Sequence, residues 1–183
     1  MIARVLLLAL LSMSVSPAMA QQSPAPAPVK KKPAAATPKP GGPKLIGAFD
    51  DWTAATHQEA GQLVCYAFTR AQSSVPALPG RGPVILTVTQ RNSGRDAVAM
   101  EAGFPFAANA TVNVQADQTG LDFYTAQRNA FARNGHAAVT AFQASSRAIA
   151  RSPGPRQATV TDTFSLKGFS AAYTAISKTC PPK

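Results

Sequence analysis

Alternation of polar and apolar residues with a period of two dominates the C-terminal three quarters of the chain. Residues 159–166 read Thr-Val-Thr-Asp-Thr-Phe-Ser-Leu, and residues 111–116 read Thr-Val-Asn-Val-Gln-Ala. Because successive side chains of a strand point to opposite faces of a sheet, this pattern predicts half-buried β-strands. Apolar runs rich in β-branched or aromatic residues predict three more strands, at residues 62–69, 84–89 and 121–125.

Short turn signals separate these predicted strands. They are Asn92-Ser93-Gly94, Gln118-Thr119-Gly120 and Asn134-Gly135. An Asn-Gly pair suits the two-residue type I′ turn of a hairpin, so we expect a hairpin at residues 134–135. Short connections favour antiparallel neighbours over parallel crossovers. The predicted fold class is therefore mainly β, a single antiparallel β-sandwich or barrel-like domain.

Two segments interrupt the strand pattern. One set of residues has the spacing i, i+3, i+4, i+7 and i+11, and it comprises Phe169, Ala172, Tyr173, Ile176 and Cys180. This spacing predicts one face of a C-terminal helix, which Pro181-Pro182 ends. Residues 141–151 contain good helix formers and stop before Ser152-Pro153, so a second short helix is expected there.

The first 20 residues have the layout of a secretory signal peptide. Arg4 is followed by an apolar run at residues 5–11, and Ala18 and Ala20 are the small residues that a signal peptidase reads. The run is too short to cross a bilayer, which needs roughly 20 apolar residues. We therefore expect cleavage after Ala20, no later membrane span, and a periplasmic, cell-surface or secreted protein.

Residues 21–44 have a different composition, with seven prolines, five lysines and no acidic residue. Proline disfavours both helix and sheet, and like charges extend a chain, so the segment is expected to be a disordered arm. Two roles remain open for it, a solvated spacer or an electrostatic contact with an anionic surface. The lysines that would make this contact are Lys30, Lys31, Lys32, Lys39 and Lys44.

The net charge of +10 suggests nucleic acid as a partner, but its distribution argues against this. Residues 45–183 hold 12 Lys and Arg against 8 Asp and Glu, a net charge of only +4. The domain has no basic motif interleaved with aromatic residues, and we expect no nucleic-acid binding. Arg147, Arg151 and Arg156 form either a basic patch or a solvated face.

Two cysteines, Cys65 and Cys180, are the only ones in the chain. In an oxidising compartment two lone cysteines most often pair with each other, so a disulfide between them is expected. It would attach the C-terminal helix to the sheet. The alternative is a reactive thiol, although the sequence has no Cys-x-x-Cys motif to support one.

Catalytic motifs in the sequence are incomplete. Ser170 lies in Gly-Phe-Ser-Ala-Ala, which lacks the second glycine of a nucleophile elbow and has no acid or histidine after it. His57 and Glu59 match the His-x-Glu part of a zinc deaminase site, but no Pro-Cys-x-x-Cys follows. We expect no catalytic residues, no metal and no cofactor. The alternative is a small periplasmic hydrolase or metal-dependent enzyme that uses His57 and Glu59 with Asp50 and Asp51.

Asp162 occupies an apolar position of the alternating pattern, between Val160 and Phe164. Burying a carboxylate costs several kcal/mol unless it is paired or hydrogen-bonded. Either the strand is bulged or at an edge there, or Asp162 meets an arginine.

Three stretches together resemble the invasion-associated locus B family of α-proteobacterial envelope proteins. They are residues 47–52 (Gly-Ala-Phe-Asp-Asp-Trp), residues 63–66 (Leu-Val-Cys-Tyr), and residues 162–172 (Asp-Thr-Phe-Ser-Leu-Lys-Gly-Phe-Ser-Ala-Ala) with the continuation to Cys180-Pro181. The resemblance covers roughly residues 45–181.

The resemblance implies a secreted, mainly β domain without known catalytic residues, and proteins that act in attachment to or invasion of host cells, notably erythrocytes. Family members often carry a further cysteine shortly after the tryptophan. Here Trp52 is followed by Thr53-Ala54-Ala55-Thr56, so the chain resembles a divergent member with one cysteine pair. The function expected from the sequence is that of an exported, non-enzymatic envelope protein that binds an envelope or host component.

Overall fold

The computed structural model describes residues 42–182 of the chain. The predicted signal peptide and most of the predicted arm, including Lys30, Lys31, Lys32 and Lys39, lie outside the described residues. Lys44 is the first residue of the first strand and is exposed.

The described residues form eleven strands, two α-helices and one 3₁₀ turn. The strands are β1 (Lys44–Phe49), β2 (Trp52–Glu59), β3 (Gln62–Arg70), β4 (Ser73–Val75), β5 (Ile85–Arg91), β6 (Gly94–Glu101), β7 (Thr111–Ala116), β8 (Thr119–Ala126), β9 (Asn129–Ala132), β10 (Arg147–Pro153) and β11 (Thr159–Ser165). The helices are α1 (Gly135–Gln143) and α2 (Phe169–Thr179), and the 3₁₀ turn is Pro155–Gln157.

All eleven strands belong to one antiparallel sheet with the order β1-β2-β3-β5-β6-β9-β8-β7-β10-β11-β4. The mainly β, antiparallel fold with two helices, one of them C-terminal, is thus confirmed. Among the described residues the sheet is not closed into a barrel, because its edge strands β1 and β4 are not paired with each other.

A bend after β3 connects distant parts of this sheet. The amide of Gln72 donates to the carbonyl of Thr163 on β11 at 2.8 Å. Trp52 of β2 also donates its indole N–H to the carbonyl of Ser165 at 3.0 Å. Since β2 and β11 are eight strands apart in the sheet order, these bonds show that the sheet curves around one face.

That face, called here the inner face, carries the hydrophobic core. Its side chains come from alternate positions of nearly every strand, as the period-two pattern requires. The largest fully buried ones are Trp52, Leu86, Met100, Phe123 and Phe164. Helix α2 covers this core through Phe169, whose ring lies 4.8 Å from that of Trp52 and 5.5 Å from that of Phe142 in α1.

The expected hairpin at residues 134–135 is wrong. Asn134 has an extended backbone (φ −127°) and caps the N-terminus of α1, where its Oδ1 accepts a hydrogen bond from the amide of Ala137 at 3.0 Å. Asparagine is favoured at this cap as well as in turns, so the dipeptide alone did not decide between them. Gly135 is needed for packing, because a Cβ there would collide with the carbonyl of Asp96.

The expected helix at residues 141–151 is largely wrong as well. Helix α1 lies earlier in the chain, and most of the expected segment is strand β10. Strand β10 pairs with β11 on one side and with β7 on the other. Backbone pairing on both sides, with Ala148, Ala150 and Ser152 buried beneath it, outweighs a weak helical propensity.

Neither helix within residues 42–182 combines the length and the apolar character needed to cross a membrane.

Candidate functional site

The face opposite the core, called here the outer face, forms an open groove of about 670 Å³. Its walls and floor come from β2, β3, β5, β6 and β9. It combines an aromatic part (Tyr66, Phe68 and His57) with a polar part that includes Arg70, Glu101 and Asn129. We call this feature the outer groove.

The aromatic part follows from the alternation within β3. Cys65 and Ala67 point to the inner face and are fully buried, whereas Tyr66 and Phe68 point outward and are half-buried. Their ring centroids are 6.0 Å apart, and the ring planes differ by only 25°. His57 packs edge-on against Tyr66 at 5.3 Å. Burial raises the pKa of Tyr66, so its phenol stays neutral at physiological pH and keeps its O–H donor.

A second aromatic pair lies on the same face. The strand register connects Phe68 to Thr87, Ala99, Phe131 and Tyr124 in one row across five strands. The rings of Phe131 and Tyr124 are stacked at 5.5 Å with an angle of 27°. The Arg133 guanidinium lies 5.8 Å from the Tyr124 ring centroid. The outer face therefore carries two aromatic platforms, Tyr66–Phe68 and Tyr124–Phe131, with small side chains between them.

The polar groups of the groove form a neighbouring row. The register pairs Arg70 with Ile85, Ile85 with Glu101, and Glu101 with Asn129. Within residues 42–182, neither Arg70 nor Glu101 takes part in a salt bridge. Both charged groups are exposed at strand ends, so they are free to contact a molecule in the groove.

The residues proposed for an enzyme are not brought together. Asp50 and Asp51 precede β2 and Glu59 ends it, and a strand of eight residues separates them by about 25 Å. Glu59 bonds Arg91 at 2.6 Å, and this hydrogen bond holds the pKa of Glu59 below its usual value. In the part of the chain described here, no three His, Cys, Asp or Glu residues form a cluster that could hold a metal ion.

Asp50 instead pairs with Lys167 at 3.1 Å, and the hydrogen bond between them raises the pKa of the Lys167 ammonium. Ser170 is an exposed residue in the first turn of α2. Arg147 and Arg151 are exposed on β10 rather than on a helix, and Arg156 belongs to the 3₁₀ turn. The alternative catalytic set of Asp50, Asp51, His57 and Glu59 therefore does not assemble in one place.

The disulfide between Cys65 and Cys180 is confirmed, and both cysteines are bonded in it. It joins β3 to the end of α2 across a sequence separation of 115, with a Cα–Cα distance of 6.0 Å. The reactive-thiol alternative is thereby excluded for this structure. The bridge holds α2 against the inner face and leaves the outer groove uncovered.

Asp162 meets an arginine, which was one of the two expected explanations. Its two carboxylate oxygens accept hydrogen bonds from the two terminal nitrogens of Arg81, both at 2.8 Å, and Ser74 donates a further one at 2.6 Å. Arg81 also donates through Nε to the carbonyl of Ala102 at 2.7 Å and packs over the Phe104 ring. The pair is almost completely buried and fastens the 76–84 loop to β11.

A polar cluster around Asp96 was not expected from the sequence. Its carboxylate accepts hydrogen bonds from Gln90 and Tyr173, both at 2.7 Å, and His136 lies 3.3 Å away. Burial acts to raise the pKa of Asp96, but the hydrogen bonds from Gln90, Tyr173 and His136 outweigh it and lower that pKa. This cluster joins β5 and β6 to both helices and therefore stabilises the fold.

The outer groove itself was also missed. Its one local signal is the pair of aromatic residues at 66 and 68, on the strand face opposite Cys65 and Ala67. The rest of the groove depends on the β5–β6–β9 register, which joins residues far apart in sequence.

Comparisons with known proteins find similarity at the level of the fold. No family model and no curated protein matches the sequence. Among solved structures, the crystal structure of invasion associated protein B from Bartonella henselae matches 73% of this chain and 96% of its own length, with a TM-score of 0.53 and 14% identity. The two proteins share a fold. This agrees at the level of the fold with the family that the sequence resembles.

Proposed function

We propose that the chain is an exported, non-enzymatic binding protein of the bacterial envelope, periplasmic or exposed at the cell surface after cleavage at Ala20. The observation that carries the proposal is the outer groove, which combines aromatic side chains with polar groups from five strands. The fold shared with an invasion associated protein and the family resemblance support the same setting. The bound component belongs to the envelope or to a host cell.

The arrangement of the groove favours recognition over bond cleavage. General acid–base or nucleophilic catalysis needs its groups within hydrogen-bond reach of one reacting atom. The charged groups of the groove, Arg70 and Glu101, lie on strands two steps apart in the sheet, about 10 Å at the backbone. Spread across an open face, such groups suit contact with an extended ligand.

The predicted arm gives the protein a second contact. Its lysines Lys30, Lys31, Lys32 and Lys39, together with Lys44 at the start of β1, contact an anionic surface such as lipid headgroups or an acidic envelope polymer. A lysine close to an anionic membrane contributes about 1 kcal/mol, and salt weakens the attraction.

Vesicle binding tests the role of the arm. The full-length mature chain should bind phosphatidylglycerol vesicles more strongly than phosphatidylcholine vesicles, and added salt should weaken the binding. Changing Lys30, Lys31, Lys32 and Lys39 to Gln should remove most of it, whereas a matched change of Arg147, Arg151, Lys167 and Lys178 to Gln should remove little. Equal losses for the two variants would contradict the contact, and retention in the cytoplasmic fraction of cells would contradict export.

Substrate panels test the non-enzymatic part. We expect no turnover of ester, glycoside or peptide substrates by the purified full-length chain. Turnover that disappears with a single substitution in the groove, such as Glu101→Gln, would overturn it.

A further inference from the structure

We propose that the outer groove, together with the neighbouring Tyr124–Phe131 platform of the outer face, binds an acidic glycan strand of the cell envelope, a chain of N-acetylated amino sugars that carry carboxylates. The proposal rests on the proposed function, because export brings the chain into contact with such polymers.

The two platforms suit the apolar faces of sugar rings. Both lie on the outer face, and Phe68 and Phe131 are three strand steps apart, which is about 14 Å. An aromatic ring has a negative face, onto which the weakly positive C–H groups of a sugar ring pack. Two platforms at this separation can each hold one ring of the same extended chain.

The side chains between the platforms leave room for a ligand and offer it hydrogen bonds. Thr87 and Ala99 are small and half-buried, and they form the floor between the two aromatic pairs. Glu101 and Asn129 lie beside them and supply acceptors and donors for hydroxyl and acetamido groups. A lipid tail would leave these polar groups without partners, which disfavours a purely apolar occupant.

Two arginines of this face favour an acidic ligand, and the exposed Asp122 of β8 lies opposite one of them. Arg70 lies in the same strand as the Tyr66–Phe68 platform, and Arg133 lies over Tyr124. In residues 42–182 neither arginine takes part in a salt bridge. Arginine binds carboxylates through two parallel hydrogen bonds, so each can hold one acidic group of the strand. Glu101 lies in the groove with Arg70, and it repels a polymer charged along its whole length, such as polyphosphate.

Binding of soluble cell-wall glycan strands, freed of peptides by an amidase, tests the proposal. The control probe is a chitin oligosaccharide of equal length, which has the same amino-sugar backbone without the carboxylates. With the full-length mature chain, titration calorimetry should show binding to the acidic strands and roughly tenfold weaker binding to chitin, the size of effect expected when a charge-assisted hydrogen bond is lost.

Two variants and a matched control locate the binding. Arg70→Gln should weaken binding to the acidic strands roughly tenfold and leave binding to chitin nearly unchanged. Tyr124→Ala should weaken binding to both probes roughly threefold or more, because a platform is lost. Lys178→Gln removes an exposed positive charge from α2, which covers the inner face, and should change neither. Unchanged thermal midpoints would show that the variants are folded, and Tyr124 is 44% exposed, so its truncation is tolerated.

Other outcomes would overturn the proposal. No binding to either probe, or binding that neither Arg70→Gln nor Tyr124→Ala weakens, would exclude the groove as a glycan site. A proline-rich or acidic peptide that binds the groove more tightly than the glycan strands would make it a peptide site. Glycan binding by a protein that fractionates with the cytoplasm would instead contradict the proposed function and leave the groove assignment intact.

Discussion

On strand β5, Leu86 and Val88 point inward and are buried, whereas Thr87 and Thr89, each one position further along, line the outer groove. The same alternation gives the sheet two faces with different chemistry. Within residues 42–182 the inner face contains polar groups too: the buried carboxylate of Asp162 bonds Arg81, whereas the buried hydroxyl of Ser152 has no hydrogen-bond partner. On the outer face Arg70 and Glu101 have no ion-pair partner within residues 42–182. Among the described residues the buried charges are thus paired within the fold, whereas Arg70 and Glu101 are exposed and accessible to a ligand.

Removing Asp162 tests the difference between buried and exposed charges most strongly. Asp162→Ala leaves the Arg81 guanidinium, whose side chain is 6% exposed, buried without its carboxylate, and should lower the free energy of unfolding by about 3–5 kcal/mol. Urea denaturation followed by circular dichroism measures the loss.

Glu59→Gln is the matched control for Asp162→Ala, because it breaks an ion pair with Arg91 at 2.6 Å on an exposed surface. Its effect should be far smaller, since solvent screens exposed pairs. The double variant Arg81→Met with Asp162→Leu should recover much of the stability that Asp162→Ala loses. Equal losses for Asp162→Ala and Glu59→Gln would contradict the distinction between buried and exposed charges.

Removing the disulfide should have the next largest effect. Cys65→Ser combined with Cys180→Ser opens a closure with a sequence separation of 115 and should lower the free energy of unfolding by about 2–5 kcal/mol. The protein reduced with dithiothreitol should show a similar loss in denaturation. Addition of dithiothreitol to the double variant should change nothing, and a further loss there would show that the reductant acts elsewhere.

Two glycines allow the same comparison of a packed with an exposed position for the backbone. Gly168 (φ +87°) and Gly61 (φ +77°) both have left-handed conformations, so alanine at either position is strained by roughly 1–2 kcal/mol. At Gly168 a Cβ would also collide with the carbonyl of Phe49, whereas at Gly61 nothing lies within 4 Å. Thermal unfolding should therefore show a larger loss for Gly168→Ala than for Gly61→Ala, and equal losses would mean that β1 moves aside at no cost.

The smallest expected effect is a dependence on pH. Because the pKa of Asp96 is lower in the folded protein than its ordinary value of 3.8, the carboxylate stabilises the fold above that value. This stabilisation is lost as the pH falls through the lower, folded-state pKa. Asp96→Asn keeps an acceptor for Gln90 and Tyr173 but cannot ionise.

The stability difference between Asp96→Asn and the original protein should therefore be largest near neutral pH and shrink below about pH 3.8. Denaturation curves at several pH values measure it. The exposed Asp122 on β8 gives the control Asp122→Asn, and the same pH dependence in that variant would contradict the assignment to Asp96.

Local patterns predicted the strands well where one face is buried. Residues 111–116 are strand β7 as expected, and the expected 159–166 and 62–69 differ from β11 and β3 by one residue at an end. The same reasoning failed at residues 134–135 and 141–151. At residues 134–135 asparagine is favoured both in a turn and at a helix cap. At residues 141–151 pairing with strands from elsewhere in the chain outweighed the helical propensity.

The candidate site was less predictable than the fold. The pairing of Cys65 with Cys180 followed from their number alone, and a charged partner for Asp162 followed from the cost of burying a carboxylate. That partner, Arg81, comes from a loop with no distinguishing pattern. The outer groove requires β6 to pair with β9, a register set by how the whole sheet buries its inner face.

The sequence alone therefore determined the period of two, the antiparallel β class, the C-terminal helix and the disulfide, because these depend on neighbouring residues or on composition. The tertiary structure decided which strands are neighbours and which residues meet across them. Phe68 and Phe131 are 63 positions apart in sequence and lie in one row of the outer face only because β5 and β6 stand between their strands. A binding surface built across strands is a property of sheet order, and no local pattern encodes it.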